Sequence, residues 1–279
     1  MVSQEVDKAT PLQGPEIDRL WEGFPQDLPL TPSCLTKVQQ QYDRFTSLEF
    51  FDPNLWVDVH SSHLASQSRE GWEKGFFLLS GPPAMGKDTI LSTMDSWFAG
   101  QISIICTSTT RPRRTEDAVG EKYLLHLSQE EFEHHLQEGD FIEHVPLDGQ
   151  NLYGTPKFTV AKALKGDERL IMWRGEPMGA MEMRRYMSEH HPQIPTAWVF
   201  IFPYQMSLDG LLERIAARRP ASEVEERFRR AKREIYLGAH ADFLLMNPPE
   251  KSGFPSRACE AMEALVRNVV GVEKSELSG

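Results

Sequence analysis

The chain has 279 residues, 40% hydrophobic and 25% charged, which suffices for one large domain or for a domain of about 200 residues with an extension. Its formal net charge of −11 excludes a general surface for nucleic acid or acidic membrane, because such partners are held by clustered Lys and Arg. The three cysteines, Cys34, Cys106 and Cys259, are too widely spaced for a metal site or a disulfide framework and fit a reducing compartment. With no run of about 18 apolar residues and neither a signal-peptide core nor an Arg-rich transit segment at its start, the protein is expected to be soluble and cytoplasmic.

Residues 1–70 are rich in Pro, Gln, Ser and acids, with aromatics at Trp21, Phe24, Phe50, Phe51 and Trp56. They are expected to form an extension, helical around Leu35 to Phe51, that lies as an arm on the domain at 71–279; a protein partner for it is left open. At Gly75 the pattern changes. Phe76-Phe77-Leu78-Leu79-Ser80 predicts a strand, and Ile90, Leu91, Met94, Trp97 and Phe98 recur at helical spacing. Between them Gly81-Pro82-Pro83-Ala84-Met85-Gly86-Lys87 fits G-x-x-x-x-G-K and is followed by Asp88 and Thr89.

Small residues in such a loop let backbone N–H groups curl around phosphate oxygens at a helix N-terminus, and the lysine adds a mobile cation. Strand, glycine loop and helix together make Gly81 through Thr89 candidate ATP-binding residues, with Lys87 as a catalytic one. The Mg²⁺-binding hydroxyl usually follows the lysine directly. Asp88 stands there and Thr89 comes next, so both are candidate metal ligands. The form Gly-Pro-Pro-x-x-Gly-Lys-x-Thr is similar to the loop of nucleoside monophosphate kinases, where Thr is common at that second place. Further apolar runs at Ile102 to Cys106, Leu170 to Trp173, Ala197 to Phe202 and Phe243 to Met246 each follow a helical or loop stretch, which predicts a doubly wound α/β core of parallel strands.

Just after Cys106 come Thr107-Ser108-Thr109-Thr110-Arg111-Pro112-Arg113-Arg114, then Asp117, Gly120 and Tyr123. In so acidic a chain this cluster predicts an anionic ligand, since guanidinium forks match phosphate and a tyrosine hydroxyl adds a neutral donor. The S-T-T-R-x-x-R run, Tyr123, Phe141-Ile142-Glu143 and Tyr153-Gly154-Thr155 resemble, in order and spacing, the acceptor-binding half of guanylate kinase. The resemblance covers about residues 76–270 and implies a P-loop kinase fold, with an acceptor-binding insert at about 107–158 and a lid at about 215–230. It implies that Arg111, Arg114, Tyr123 and Tyr153 hold the phosphate of GMP, with Asp117 where the family usually has Glu. It further implies that Glu143 accepts from guanine N1–H and the exocyclic amine, while Thr107 and Thr155 reach the other edge of the base. A carboxylate matches guanine's two adjacent donors and mismatches the ring nitrogen of adenine.

One segment departs from the family. Within Met172 to Ala180, Trp173 to Ala180 aligns with Leu-Asp-x-Asp-x-Gln-Gly-Ala, so Arg174 replaces the first acid and Glu176 the second. The first replacement reverses a charge near the acceptor and metal region and favours a more anionic acceptor; Glu176 keeps a water-mediated contact to metal or base. Leu211 to Arg219 and Glu223 to Arg230 resemble the lid and the arginine-bearing helix after it. Arg218 and Arg227 fall at its charge-stabilising positions, with Arg219 an alternative to Arg218. Ala241 to Asn247 resembles the last strand, which puts Asn247 on the adenine side.

The resemblance as a whole implies in-line phosphoryl transfer from ATP to GMP with Mg²⁺ and no covalent intermediate. Arg174 motivates an alternative, a kinase of the same fold with another phosphorylated acceptor. A non-catalytic module that binds phosphopeptides through the same arginines is a third reading, against which intact Gly86 and Lys87 speak.

Overall fold

The computed structural model describes residues 56–58, 74–113, 123–147, 151–203, 208–217, 221–247 and 256–272. Arg114, Asp117, Arg218, Arg219 and the segment from Leu35 to Phe51 lie outside the described residues.

The strand expected before the glycine loop is β2, Gly75–Ser80, and every one of its residues is buried. It lies between two parallel neighbours in a six-stranded sheet, which is why it reads as an unbroken apolar run rather than an alternating one. The order is β1 (Trp56–Asp58), β10 (Phe243–Met246), β9 (Thr196–Phe202), β2, β8 (Leu170–Gly175) and β3 (Ile102–Ile104). All pairings are parallel except β1 on β10, where Trp56 faces Leu245. Trp56-Val57-Asp58, past the segment expected to be helical around Leu35 to Phe51, is an edge strand, suited by its aromatic and β-branched pair and by the hydrogen-bonding edge that β10 offers.

The crossover from β2 to β3 runs through α1 (Lys87–Trp97), and that from β8 to β9 through α4 (Pro177–His190). The two proceed in opposite directions along the sheet, so right-handedness places α1 and α4 on opposite faces. The chain therefore reverses between β2 and β8, and the crevice outside their carboxyl ends is the topological switch point where open α/β sheets bind ligands. The phosphate loop leaves β2 into this crevice, and Arg174 and Glu176 stand at the end of β8 beside it. α7 (Ser256–Val270) packs against α1 and β10.

A second, four-stranded sheet has the order β5 (Leu124–His126), β4 (Thr107–Thr109), β7 (Asn151–Pro156), β6 (Phe141–Leu147). The run expected as one strand from Ile102 to Cys106 ends at Ile104 in the first sheet, and the chain crosses to the second at Thr107. Between β5 and β6 lies α2 (Gln129–Gln137), whose start is fixed by a capping box: Glu131 N–H donates to Ser128 Oγ at 3.1 Å and Ser128 N–H to Glu131 Oε2 at 2.7 Å. Phe132 of α2 stacks on Phe141 of β6 at 4.5 Å, and α3 (Lys157–Lys165) follows β7. α4 packs against β6 as well as β2 and β9, so it ties the small sheet to the large one.

The main core is built on Phe76 to Leu79, Ile171, Met172, Trp173 and Trp198 to Ile201, with Trp198 Nε1–H donating to Ser80 Oγ at 2.7 Å so that its buried donor is satisfied. Two further helices, α5 (Leu208–Ala216) and α6 (Ala221–Leu237), pack on each other in the region expected as the lid. Among the described residues no helix is long and apolar enough to cross a membrane.

Candidate active site

The loop from Gly81 to Gly86 joins β2 to α1, and Gly86 caps the helix at φ 79°, a left-handed conformation that a side chain would strain. Ala84 holds φ 62° within the same loop, an uncommon value for a residue with a Cβ. This turn aims the N-terminus of α1, with its unsatisfied N–H groups and positive dipole end, into the crevice. Lys87 folds back over the loop, donating to the Gly81 carbonyl and, at 2.9 Å, to that of Pro82. Burial pushes its pKa down; Glu234 and Asp88 oppose that, and Arg230 and Arg174 add to it. Those causes name the amine's charged surroundings. Asn247, 1% exposed at the end of β10, donates from Nδ2 to the Met85 carbonyl at 2.8 Å and so pins the loop from below. Its buried Oδ1 has no hydrogen-bond partner.

In the small sheet, antiparallel pairing of β6 and β7 sets Glu143 opposite Thr155. A relay of hydrogen bonds results: Trp173 Nε1–H donates to Thr155 Oγ1 at 2.8 Å, and Thr155 Oγ1–H donates to Glu143 Oε1 at 2.5 Å. Gly179, in the first turn of α4, lets the carboxylate approach, since a Cβ there would stand 3.0 Å from Glu143 Oε2. Burial pushes the Glu143 carboxyl up to about 7; the Thr155 hydrogen bond acts against this and Glu182 reinforces it. Thr107 is buried on β4, next to β7 in the sheet, and Tyr153 pairs with Thr109 across β4 and β7.

Arg111 is buried at the end of β4, its backbone N–H held by Thr109 Oγ1 at 3.1 Å and its Nη1 donating to the Pro112 carbonyl at 3.0 Å. Tyr123 donates its hydroxyl to Asp95 Oδ2 of α1 at 2.7 Å, so the proposed phosphate donor is tied to the phosphate-loop helix. Burial, with that carboxylate as acceptor, pushes the Tyr123 pKa up and keeps the phenol a proton donor. Glu176 is the residue before α4, with a buried Oε1. Asp88 and Thr89 lie in the first turn of α1; the Asp88 side chain is 80% exposed and its Oδ1 is 3.0 Å from Arg174 Nε.

Arg227 is buried and its Nε donates to Glu223 Oε2, one turn earlier on α6, at 3.0 Å. It is Arg230 and Glu234, themselves 3.1 Å apart, whose charges reach Lys87. They were missed in the sequence, although Arg227, Arg230 and Glu234 follow one another at the spacing of a single helix face. Trp173 and Gly179 were missed as well. Neither has a local signal, since each acts through a strand or helix remote in sequence.

The guanylate kinase family model matches residues 74–245. A guanylate kinase of Clostridioides difficile is 30% identical over 209 residues, spanning 74% of this chain and 92% of that protein. The chain belongs to the guanylate kinase family. A guanylate kinase of Streptococcus agalactiae is 33% identical over 183 residues, covering 63% of this chain and 80% of its own. Among solved structures, the guanylate kinase from Anaplasma phagocytophilum aligns with a TM-score of 0.53 at 20% identity, over 75% of this chain and 94% of that one, which shows the P-loop kinase fold. In this guanylate kinase-family chain a lysine-bearing loop follows β2, and a buried carboxylate of the small sheet lies against the first turn of α4.

Proposed function

We infer that this protein phosphorylates GMP to GDP with ATP as donor. The observation that carries the reading is Glu143, a buried carboxylate held on Oε1 by Thr155 and approached on Oε2 by Gly179 in the first turn of α4. Held on one oxygen, it keeps acceptor capacity for two adjacent donors, the pattern guanine offers and adenine lacks. Arg111, Arg114, Tyr123 and Tyr153 are proposed to hold the GMP phosphate, with Asp117, Thr107 and Thr155 around the base and ribose side. The loop from Gly81 to Thr89 is proposed to cradle the ATP phosphates, with Asn247 acting by fixing the loop through Met85.

Lys87 leaves its two loop carbonyls for the phosphates, which offer it charged acceptors instead of neutral ones. Charge on the transferring group is met by Lys87 and by arginines of the lid region, for which Arg218, Arg227 and Arg230 are the candidates. The donor set in the first turn of α1 fits a hard cation: a carboxylate at Asp88 and a hydroxyl at Thr89, all oxygen, as suits Mg²⁺ held with a nucleotide and water. Mg²⁺, when bound there, supplies neutralisation of phosphate charge. Glu176 is proposed as a further contact through water.

The test is ADP release from ATP and Mg²⁺ with GMP, dGMP, AMP, CMP and UMP offered separately. GMP-dependent turnover that is lost in Lys87→Ala, with selectivity relaxed in Glu143→Gln, is the expected result. Turnover with another acceptor and none with GMP would overturn it.

A further inference from the structure

Asp88 and Arg174 each depart from the family pattern, and the fold brings the two departures together. Register between β2 and β8 sets Arg174 beside Leu79, two residues before the loop begins, so its side chain emerges at the carboxyl end of the sheet next to α1. Its Nε lies 3.0 Å from Asp88 Oδ1. The N–H does not align on that oxygen, and Arg174 Nε is a buried donor with no hydrogen-bond partner. Asp88 is 80% exposed, so the pair is coulombic, water-screened and weakly held. The guanidinium charge acts on both Lys87 of the phosphate loop and Tyr123, the residue before β5 of the small sheet.

We propose that Arg174 is a phosphate-binding residue of this site, parked on Asp88 in the free protein and released to phosphoryl oxygens of a bound nucleotide. The proposal rests on the reading of the crevice as a nucleotide site. A phosphate offers several charged oxygens to a planar fork that Asp88 engages only at one misaligned N–H. Asp88 follows Lys87 directly in the first turn of α1, where an uncompensated carboxylate would repel incoming phosphate. Pairing therefore neutralises the carboxylate, and exchange supplies the cation when phosphate arrives.

If the pair served only to hold the fold, breaking it from either side would have the same effect. A ligand role predicts opposite effects. Isothermal titration of the full chain in EDTA, so that no metal-held role of Asp88 enters, reads GMP and ADP separately. The proteins compared are wild type, Arg174→Ala, Arg174→Lys, Asp88→Asn and the Asp88→Asn/Arg174→Ala double variant. Arg174→Ala is expected to weaken at least one ligand by about tenfold or more, and Arg174→Lys to recover part of that loss. Asp88→Asn is expected to tighten the same ligand several-fold, with the gain reduced when Arg174 is also absent. The ligand that responds identifies donor or acceptor phosphate as the source. Weakening by both single variants alike, or affinities within about twofold of wild type in Arg174→Ala, would overturn the proposal. Should Arg174→Ala not fold, Arg174→Lys and Asp88→Asn decide it by whether they move in opposite directions. Binding of ADP without any binding of GMP would sink the guanylate kinase reading while the ADP arm still decides the role of Arg174.

Discussion

The proposed role of Glu143 makes guanine recognition depend on pH. Its carboxyl, pushed up to about 7 by burial, must be ionised to accept from two guanine donors, and only the ionised fraction binds. With a midpoint near 7, about one molecule in ten is competent at pH 6 and about nine in ten at pH 8, so affinity for GMP is expected to rise about tenfold across that range. Binding at pH 6 should also expel about one proton, visible as a calorimetric heat that varies with the ionisation enthalpy of the buffer. The phosphate of GMP has its own ionisation near about pH 6 and adds a slope, which Glu143→Gln isolates because that variant keeps the phosphate and loses the carboxyl. The unliganded protein carries the opposite sign. A carboxyl whose pKa rises on folding from 4.5 to about 7 contributes stability that is complete below 4.5 and lost as pH climbs through about 7, of order 3 kcal/mol. Denaturant unfolding from pH 5 to 8 should therefore show wild type losing stability relative to Glu143→Gln as its affinity for GMP increases. A GMP affinity with the same pH dependence in wild type and Glu143→Gln, and no proton release, would refute the reasoning.

Other consequences are as direct. Ala84→Val places a β-branched side chain at φ 62° and should cost about 1–2 kcal/mol in chemical unfolding, with weaker ADP binding because the loop shifts. Asn247→Ala removes the buried amide that holds the Met85 carbonyl and should cost about 1–2 kcal/mol of stability together with ATP affinity, read as a raised KM for ATP at unchanged KM for GMP. Arg230→Ala removes the guanidinium 3.1 Å from Glu234, whose side chain is 4% exposed; a melting temperature several degrees lower and a reduced kcat are expected, with Glu234→Gln in the same background restoring the melting temperature. Trp173→Phe keeps a smaller aromatic ring in the core but deletes the donor to Thr155, and should weaken GMP binding by about fivefold while leaving ADP binding unchanged.

Much of the fold was legible because its signals are local. The apolar run before Gly81, the glycine spacing and the helical periodicity after Lys87 all fall within a short stretch, and the strands at Leu170, Ala197 and Phe243 declare themselves by burial on both faces. β1 was illegible for the converse reason. Three residues have too little periodicity to register as a strand, and what holds them is the exposed edge of β10, far along the chain. The acceptor side follows the same rule. Glu143 and Thr155 were found as parts of motifs, whereas Trp173, which orients Thr155, and Gly179, which admits the carboxylate, act across elements that only the tertiary structure brings together.

Arg174 shows how a substitution can mislead when it is read by itself. In sequence it is a reversed charge at a position where the family carries an acid, which argues for a changed acceptor. Asp88, read by itself, is a lost hydroxyl beside the phosphate lysine. Parallel register between β2 and β8 sets the two side chains 3.0 Å apart, and together they are electrically neutral. The case for a more anionic acceptor rested on an uncompensated positive charge, and that charge is compensated. What remains is a cation whose partner is exposed to water and whose Nε–H is unsatisfied, placed where phosphates are expected to meet. On the proposed reading the departure from the family bears on how the phosphates are held, while selection of the base falls to Glu143 and Thr155, which stand at motif positions that resemble the family's.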